Sequence, residues 1–346
     1  MKRTTLILLL LFLVFGGAAI WYLYQPEDEK TTLAGADRRF AVEDISQVHK
    51  IFIADREGTA STLERQGKHW LYNGQHKARP AVMEPLLEAI QRIQVRYKPP
   101  QAAVDNMIRA LATQSYKVEL YDKNNRLIKA YYLGGATADE RGAFAIMEGA
   151  DQPYVVDLPA WEGNVTVRFS RKGDEWRDKL LFEHELEDIQ SVSIEYPQQR
   201  SESFRLEHGP AGYEVKPFYD ITPEIRRPYR LGSAEAFLLN FAKLSAEEFD
   251  NSNPRRDSIQ QLLPFSIITL VTKSGDTTQV KLHPIVPERY VTQDIETGAF
   301  VRAGGGAIER YFAELNEQDF LLVQHLLIGK VLWSYRAFFE DRELLN

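Results

Sequence analysis

The chain repeats itself once. Val42-Glu43-Asp44-Ile45 is echoed by Leu186-Glu187-Asp188-Ile189. Leu63-Glu64, with Trp70 beyond it, returns as Leu206-Glu207 with Tyr213. Leu86-Leu87, Ile90 and Ile93 return as Phe237-Leu238, Phe241 and Leu244. Val118, Leu120 and the turn Asn124-Asn125 return as Ile268, Leu270 and Ser274-Gly275. Gly142-Ala143-Phe144 recurs as Gly298-Ala299-Phe300, and Tyr154 with Asp157-Leu158 as Tyr311 with Glu314-Leu315. Each match is weak by itself. Six in the same order, at offsets between 143 and 157 residues, indicate a duplicated domain. The period is too long for a solenoid repeat.

Both copies predict the same elements. Residues 48–54 and 192–196 are rich in β-branched and aromatic side chains and read as strands. Residues 62–65 and 204–207 alternate and lead into aromatic strands at Trp70 and Tyr213. The apolar residues from Leu86 to Ile93, and from Phe237 to Leu244, fall at helical spacing. Shorter helices are expected at 104–111 and 258–263. Two hairpins follow, 116–121 with 127–133 and 266–272 with 278–283, each around a short polar turn. Further strands are expected at 144–147 and 154–157. Hairpins with helices grouped between them predict an α+β fold with mainly antiparallel sheets. The apolar stretch 321–333 reads as a buried helix, since His325 and Lys330 interrupt it and it is too short to span a bilayer.

A different segment precedes the repeat. Met1-Lys2-Arg3 opens onto an uncharged, leucine-rich run from residue 4 to 24 that ends on Trp21, Tyr22 and Tyr24. Such a run is long enough to cross ~30 Å of hydrocarbon as a helix. Lys2 and Arg3 lie before it and Glu27-Asp28-Glu29 after it, which predicts the N-terminus in the cytoplasm and the body outside. A cleaved signal peptide is the rival reading, because Gly17-Ala18-Ala19 offers small residues. The apolar residues 20–24 beyond that point favour a retained single-pass anchor. The expected organisation is therefore a cytoplasmic tip and transmembrane anchor at 1–24 and a linker at 25–39. A first α+β repeat unit occupies 40–169, a junction 170–180 and a second α+β repeat unit 181–346. The residues Trp176-Arg177-Asp178-Lys179-Leu180-Leu181 and the stretch from Phe339 to Leu345 echo each other and read as segments that close each unit.

The chain has no cysteine, so neither a lipid-modified cysteine nor a disulfide is available to it. A net charge of −7 without clustered Lys/Arg and interleaved aromatics argues against nucleic acid. The histidines are His49, His69, His76, His184, His208, His283 and His325; none forms a His-Glu-x-x-His or other metal-ligand spacing. They read as structural or exposed. The acidic runs Glu27-Asp28-Glu29 and His184-Glu185-Leu186-Glu187-Asp188 lack the spacing of a calcium loop. Gly304-Gly305-Gly306 is followed by no Lys-Ser/Thr and reads as a turn, and Gly134-Gly135 as a strand end. Trp70, Trp161, Trp176 and Trp333 suggest core packing more than a sugar site. Asn164-Val165-Thr166 fits a glycosylation sequon. No Gly-x-Ser-x-Gly, Ser-x-x-Lys or reactive cysteine is present. Neither catalytic, cofactor-binding nor metal-binding residues are expected.

The span, the strand at Val42-Glu43-Asp44-Ile45, Leu63-Glu64-Arg65 leading to Trp70, and the junction Trp176 to Lys179 resemble an uncharacterised bacterial envelope family, domain of unknown function 4340. The resemblance covers most of both copies and carries no catalytic residues. It implies an accessory role beside ABC-transporter components of the gliding-motility type. The expected function is thus a non-enzymatic, extracytoplasmic accessory or scaffold protein of a bacterial inner-membrane complex. The alternatives are an anchored envelope hydrolase or a small-ligand sensor, either using a cleft between the two units.

Overall fold

The strand expected near residue 50 shows the pattern that organises both units. In β1 (Lys50–Ala54) Ile51 and Ile53 are buried, and the residues between them reach solvent. That is the two-residue period of a half-buried strand. The structure, a computed structural model, describes residues 35, 37–210, 212–287, 289–293, 300–304 and 306–340. The expected membrane span at 1–24 and most of the linker lie outside the described residues. Among the described residues no helix is long and apolar enough to cross a membrane. The chain divides into two compact units, Met1–Asp178 and Lys179–Asn346.

In the first unit β1 is followed by β2 (Ala60–Gln66), β3 (His69–Tyr72) and β4 (His76–Lys77). Helix α1 (Pro80–Arg92) comes next, with a proline at its start, where the fixed φ suits the first turn. It buries Val82, Met83, Leu86, Ala89 and Ile90. This face joins Ile51, Leu63, Val118, Leu120, Tyr131 and Leu133 of the sheet in one core. Then come β5 (Gln94–Tyr97), α2 (Gln101–Thr113), β6 (Tyr116–Tyr121), β7 (Leu127–Ala136), β8 (Ala143–Met147) and β9 (Tyr154–Asp157). The sheet order is β4-β3-β2-β1-β6-β7-β8-β9-β5. Helix α2 lies along β7 and β8 and buries Val104, Met107 and Leu111.

The second unit runs β10 (Leu180–Phe182), β11 (Ile189–Glu195), β12 (Phe204–Gly209), β13 (Gly212–Pro217) and α3 (Ser233–Leu238). Next are β14 (Leu244–Ser245), β15 (Glu248–Phe249), α4 (Arg256–Gln260), β16 (Ser266–Thr272) and β17 (Thr277–Pro284). The chain ends with β18 (Arg289–Gln293), β19 (Phe300–Gly304), β20 (Arg310–Leu315), β21 (Asp319–Gln324) and α5 (His325–Ile328). Its main sheet is ordered β13-β12-β11-β16-β17-β20-β21-β15. Strand for strand this is the first unit's order without β4, and with a β18–β19 hairpin inserted after β17. Every strand pairing among the described residues is antiparallel, and helices are few. The α+β expectation therefore holds at the level of sheet and helix content.

Register corrects the repeat in three places. Ile51 pairs with Leu63 and Leu120, as Val192 pairs with Leu206 and Leu270. The middle matches are thus equivalent positions. At the start, Val48 and Ile189 are the buried residues that follow equivalent 3-10 turns, Ile45–Gln47 and Leu186–Asp188. The Asp-Ile echo is therefore out of step by three residues. At the end, Ala145 pairs with Leu133 as Ala313 pairs with Leu282. The counterpart of β8 is β20, not residues 298–300, and Tyr154 answers to Leu321 rather than Tyr311. The inserted hairpin carries the offset past the value a gradual drift would reach. By the same register the turn at 148–151 answers to Asn316-Glu317, not to the glycines at 304–306. The stretch 321–333 is also not one helix. It completes β21, turns through α5 and ends in a 3-10 turn, Gly329–Val331. Short apolar runs fit both periods, and here Leu321 and Val323 follow the strand period.

The expected closing segments, of which 341–345 lie outside the described residues, begin at equivalent places once the echo is shifted by one residue. Trp176 O accepts from Arg79 N at 2.8 Å, and Asp178 N donates to Lys77 O at 2.7 Å. In the second unit Phe338 O accepts from Arg230 N at 2.9 Å, and Glu340 N donates to Pro228 O at 3.1 Å. Trp176 therefore corresponds to Phe338, and both are fully buried.

Candidate sites at one position in two units

Each unit carries a cavity at the same point of its fold: the loop after the first central strand, the end of the helix before the hairpin, and the end of the hairpin's second strand. In the first unit these are Asp55 to Glu57, Thr113 to Ser115, and Gly134-Gly135, enclosing about 430 Å³. In the second they are Gln198, Leu262-Leu263, and His283-Pro284, around about 700 Å³. Strand pairing fixes the equivalence. Leu133 pairs with Tyr116 and precedes Gly134; Leu282 pairs with Ser266 and precedes His283.

The first cavity is lined mainly by polar and charged residues, and its charges are matched. Asp55 Oδ1 accepts from Glu57 N at 2.9 Å and Thr59 N at 2.8 Å, which shapes the loop. Lys172 Nζ lies 2.6 Å from Asp55 Oδ2 and 3.0 Å from Glu57 Oε2. The hydrogen bond from Lys172 holds the Asp55 carboxyl below the usual carboxylate range, and the two acids raise the lysine. Arg56 turns the other way. Its guanidinium donates to Leu111 O and Ser115 Oγ, both at 3.2 Å, and lies over the Tyr132 ring. A cation there suits the negative end of the α2 dipole. Thr166 Oγ1 donates to Gly134 O at 2.7 Å. Asn164, of the sequon, accepts from Thr166 N at 3.0 Å and caps a 3-10 turn.

The second groove is apolar. Ile259, Leu262, Leu263, Ile285, Val286 and Phe312 line it, with Gln198 and Arg255 as its polar rim. Sequence explains the change. Val104, Met107 and Leu111, which seal α2 onto the first sheet, answer to Pro254, Asp257 and Gln261 at the hairpin's offset. Without sealing residues α4 is only five residues long, and the apolar side chains beside it remain open. Gly134 also contributes: a Cβ there would come within 2.8 Å of Leu111 Cδ2. At the same place the second unit carries the imidazole of His283.

His283 is 3% exposed, and its Nε2 has no hydrogen-bond partner among the described residues. Burial pushes this imidazole below its ordinary titration point. An unpartnered buried polar atom costs about 1–3 kcal/mol, so it marks a place where structure is not optimised for stability alone. No local spacing separates His283 from the other histidines. Only its place in β17, facing away from the main core, distinguishes it. His325 meets the Tyr311 hydroxyl at 3.0 Å, and His208 packs edge-on against Tyr213. Among the described residues no group of three His, Asp or Glu could hold a metal. Trp176 is buried, Trp70 and Trp161 each lie under an arginine (Arg65, Arg168), and Trp333 packs on Phe237 and Phe338.

No curated protein matches the chain. Residues 108–261 match the family described as Domain of unknown function (DUF4340). The match begins within α2 and ends just past its counterpart α4, so it spans about one period of the repeat and takes in parts of both units. Over those residues the chain is similar to this uncharacterised family, the one its sequence resembles.

Proposed function

We propose that this chain is a non-enzymatic accessory component of a bacterial envelope complex, tethered to the inner membrane by residues 1–24 with its body outside the cytoplasm. The observation that carries the reading is the pair of cavities at one position of a repeated fold, lined differently in each unit. A duplicated site whose lining diverges suits recognition of two different chemistries. Neither lining presents a group poised for proton transfer: Asp55 and Glu57 are held by Lys172, no carboxylate lines the second groove among the described residues, and burial moves its His283 below the ordinary imidazole titration point. General acid–base work calls for a group poised near the working pH. The charge order around residues 1–29 supports the orientation. Partners of the transporter or motility type follow from the family resemblance.

Capture of the tagged full-length chain from gently solubilised native membranes, with mass spectrometry, tests the reading. Near-stoichiometric membrane-protein subunits are expected. Recovery of the chain by itself, or from the soluble fraction, would overturn it.

A further inference from the structure

The groove of the second unit combines features that its counterpart lacks. Leu262, Leu263 and Val286 are 61%, 61% and 69% exposed and stand around one opening. Exposed large apolar side chains gathered at one cavity mark a binding surface rather than ordinary scatter. The volume of about 700 Å³ lies within the ~300–1,000 Å³ of small-molecule sites. Eleven described residues line it, against roughly 20–30 a side in a stable protein interface.

Charge narrows the class of ligand. Arg255 is the one charged residue among the described lining residues. Its side chain makes no ion pair or hydrogen bond among the described residues, in contrast to Lys172 in the first unit. A guanidinium presents a planar fork that a carboxylate matches with two hydrogen bonds. A phosphate dianion would leave one charge uncompensated beside apolar walls, where an unpaired charge is costly. Gln198 adds a neutral amide at the rim.

We propose that this groove binds a single-chain fatty acid, with its carboxylate on Arg255 and its acyl chain along Ile259, Leu262, Leu263 and Val286. The proposal deepens the binding reading given above and rests on it only for the choice of this cavity. It goes beyond that reading in naming a lipid-derived ligand rather than a protein.

The test uses the full-length chain in native membranes and a diazirine-bearing palmitic acid, with the corresponding alcohol as control. After irradiation, acid label is expected on peptides containing residues 255–263 or 283–287, and little label from the alcohol. Arg255→Met should lower acid labelling about tenfold, the scale of one lost charge-assisted pair. Leu263→Asp and, independently, Val286→Asp should abolish it; both positions are exposed, so the fold should survive at least one. Absence of label on these peptides would overturn the proposal. So would equal labelling by acid and alcohol, or acid labelling indifferent to Arg255→Met. Crosslinks from these peptides to another polypeptide in place of the acid would also overturn it. Partner capture reads separately, so failure of this proposal and failure of the accessory role are distinguishable.

Discussion

Gly134 and His283 stand at one position of two equivalent strands, each directly after the leucine that pairs with the first residue of the neighbouring strand. In the first unit the missing side chain lets Leu111 settle on the sheet. In the second an imidazole fills that place and an apolar groove opens beside it.

Gly134→Val should therefore unseat the end of α2. Its new Cβ meets Leu111 Cδ2 at 2.8 Å, and Leu111 is 3% exposed with little room to move. Overpacking of this kind costs about 1–3 kcal/mol. Urea denaturation should show that loss, and an unchanged midpoint would mean that α2 is not seated through this residue.

His283→Leu should be neutral or stabilising near pH 7, because it removes a buried polar atom that has no partner among the described residues. The pH dependence has a definite sign. Burial lowers the folded imidazole's titration point from 6.5; nearby Glu314 opposes the shift and Lys281 adds to it. The unfolded chain thus binds the proton first as pH falls. Wild-type stability should decline from pH 7 towards pH 5, and this part of the decline should vanish in His283→Leu. Thermal melts of both proteins across that range measure it.

At the first cavity, Asp55→Ala should cost more than Lys172→Met. Asp55 supports two backbone donors, Glu57 N and Thr59 N, and each such bond contributes a net ~1 kcal/mol to the loop even where water can replace it. Lys172 is 42% exposed, and solvent screens ion pairs at that exposure so that they add little. The depressed Asp55 carboxyl stabilises the fold fully above its unfolded titration point, ~3.9, and that contribution is lost as pH falls from there through the lower titration point of the folded state. Denaturation midpoints of the two variants at pH 7 and at pH 3 give the comparison.

Trp176→Ala should loosen the closing segment. The indole is fully buried and its Nε1 donates to Arg171 O at 2.9 Å. Truncating a buried tryptophan costs about 3–5 kcal/mol. Hydrogen exchange should accelerate at the Arg79 amide, whose acceptor is Trp176 O.

Local pattern made the strands, the α1 face and both hairpin turns legible in the sequence. Asn125 and Gly275 indeed take positive φ, 58° and 95°. What failed was distance along the chain. In offsets alone the inserted β18–β19 hairpin is indistinguishable from gradual drift, which sets residues 298–300 opposite β8 where β20 belongs. The groove joins Gln198, Arg255, His283 and Phe312, which no local spacing relates. Arg65 and Tyr213 make the same point: the Arg65 guanidinium holds Ile45 O and Val48 O, and the Tyr213 hydroxyl holds Leu186 O and Ile189 O. Unlike side chains fasten equivalent turns, so residue matching alone misses the correspondence.

The accessory role is tested most directly by capturing the full-length chain from native membranes and quantifying what accompanies it. The account predicts recovery in the membrane fraction with near-stoichiometric transporter or motility subunits. Recovery of the chain alone, or from the soluble fraction, would contradict it.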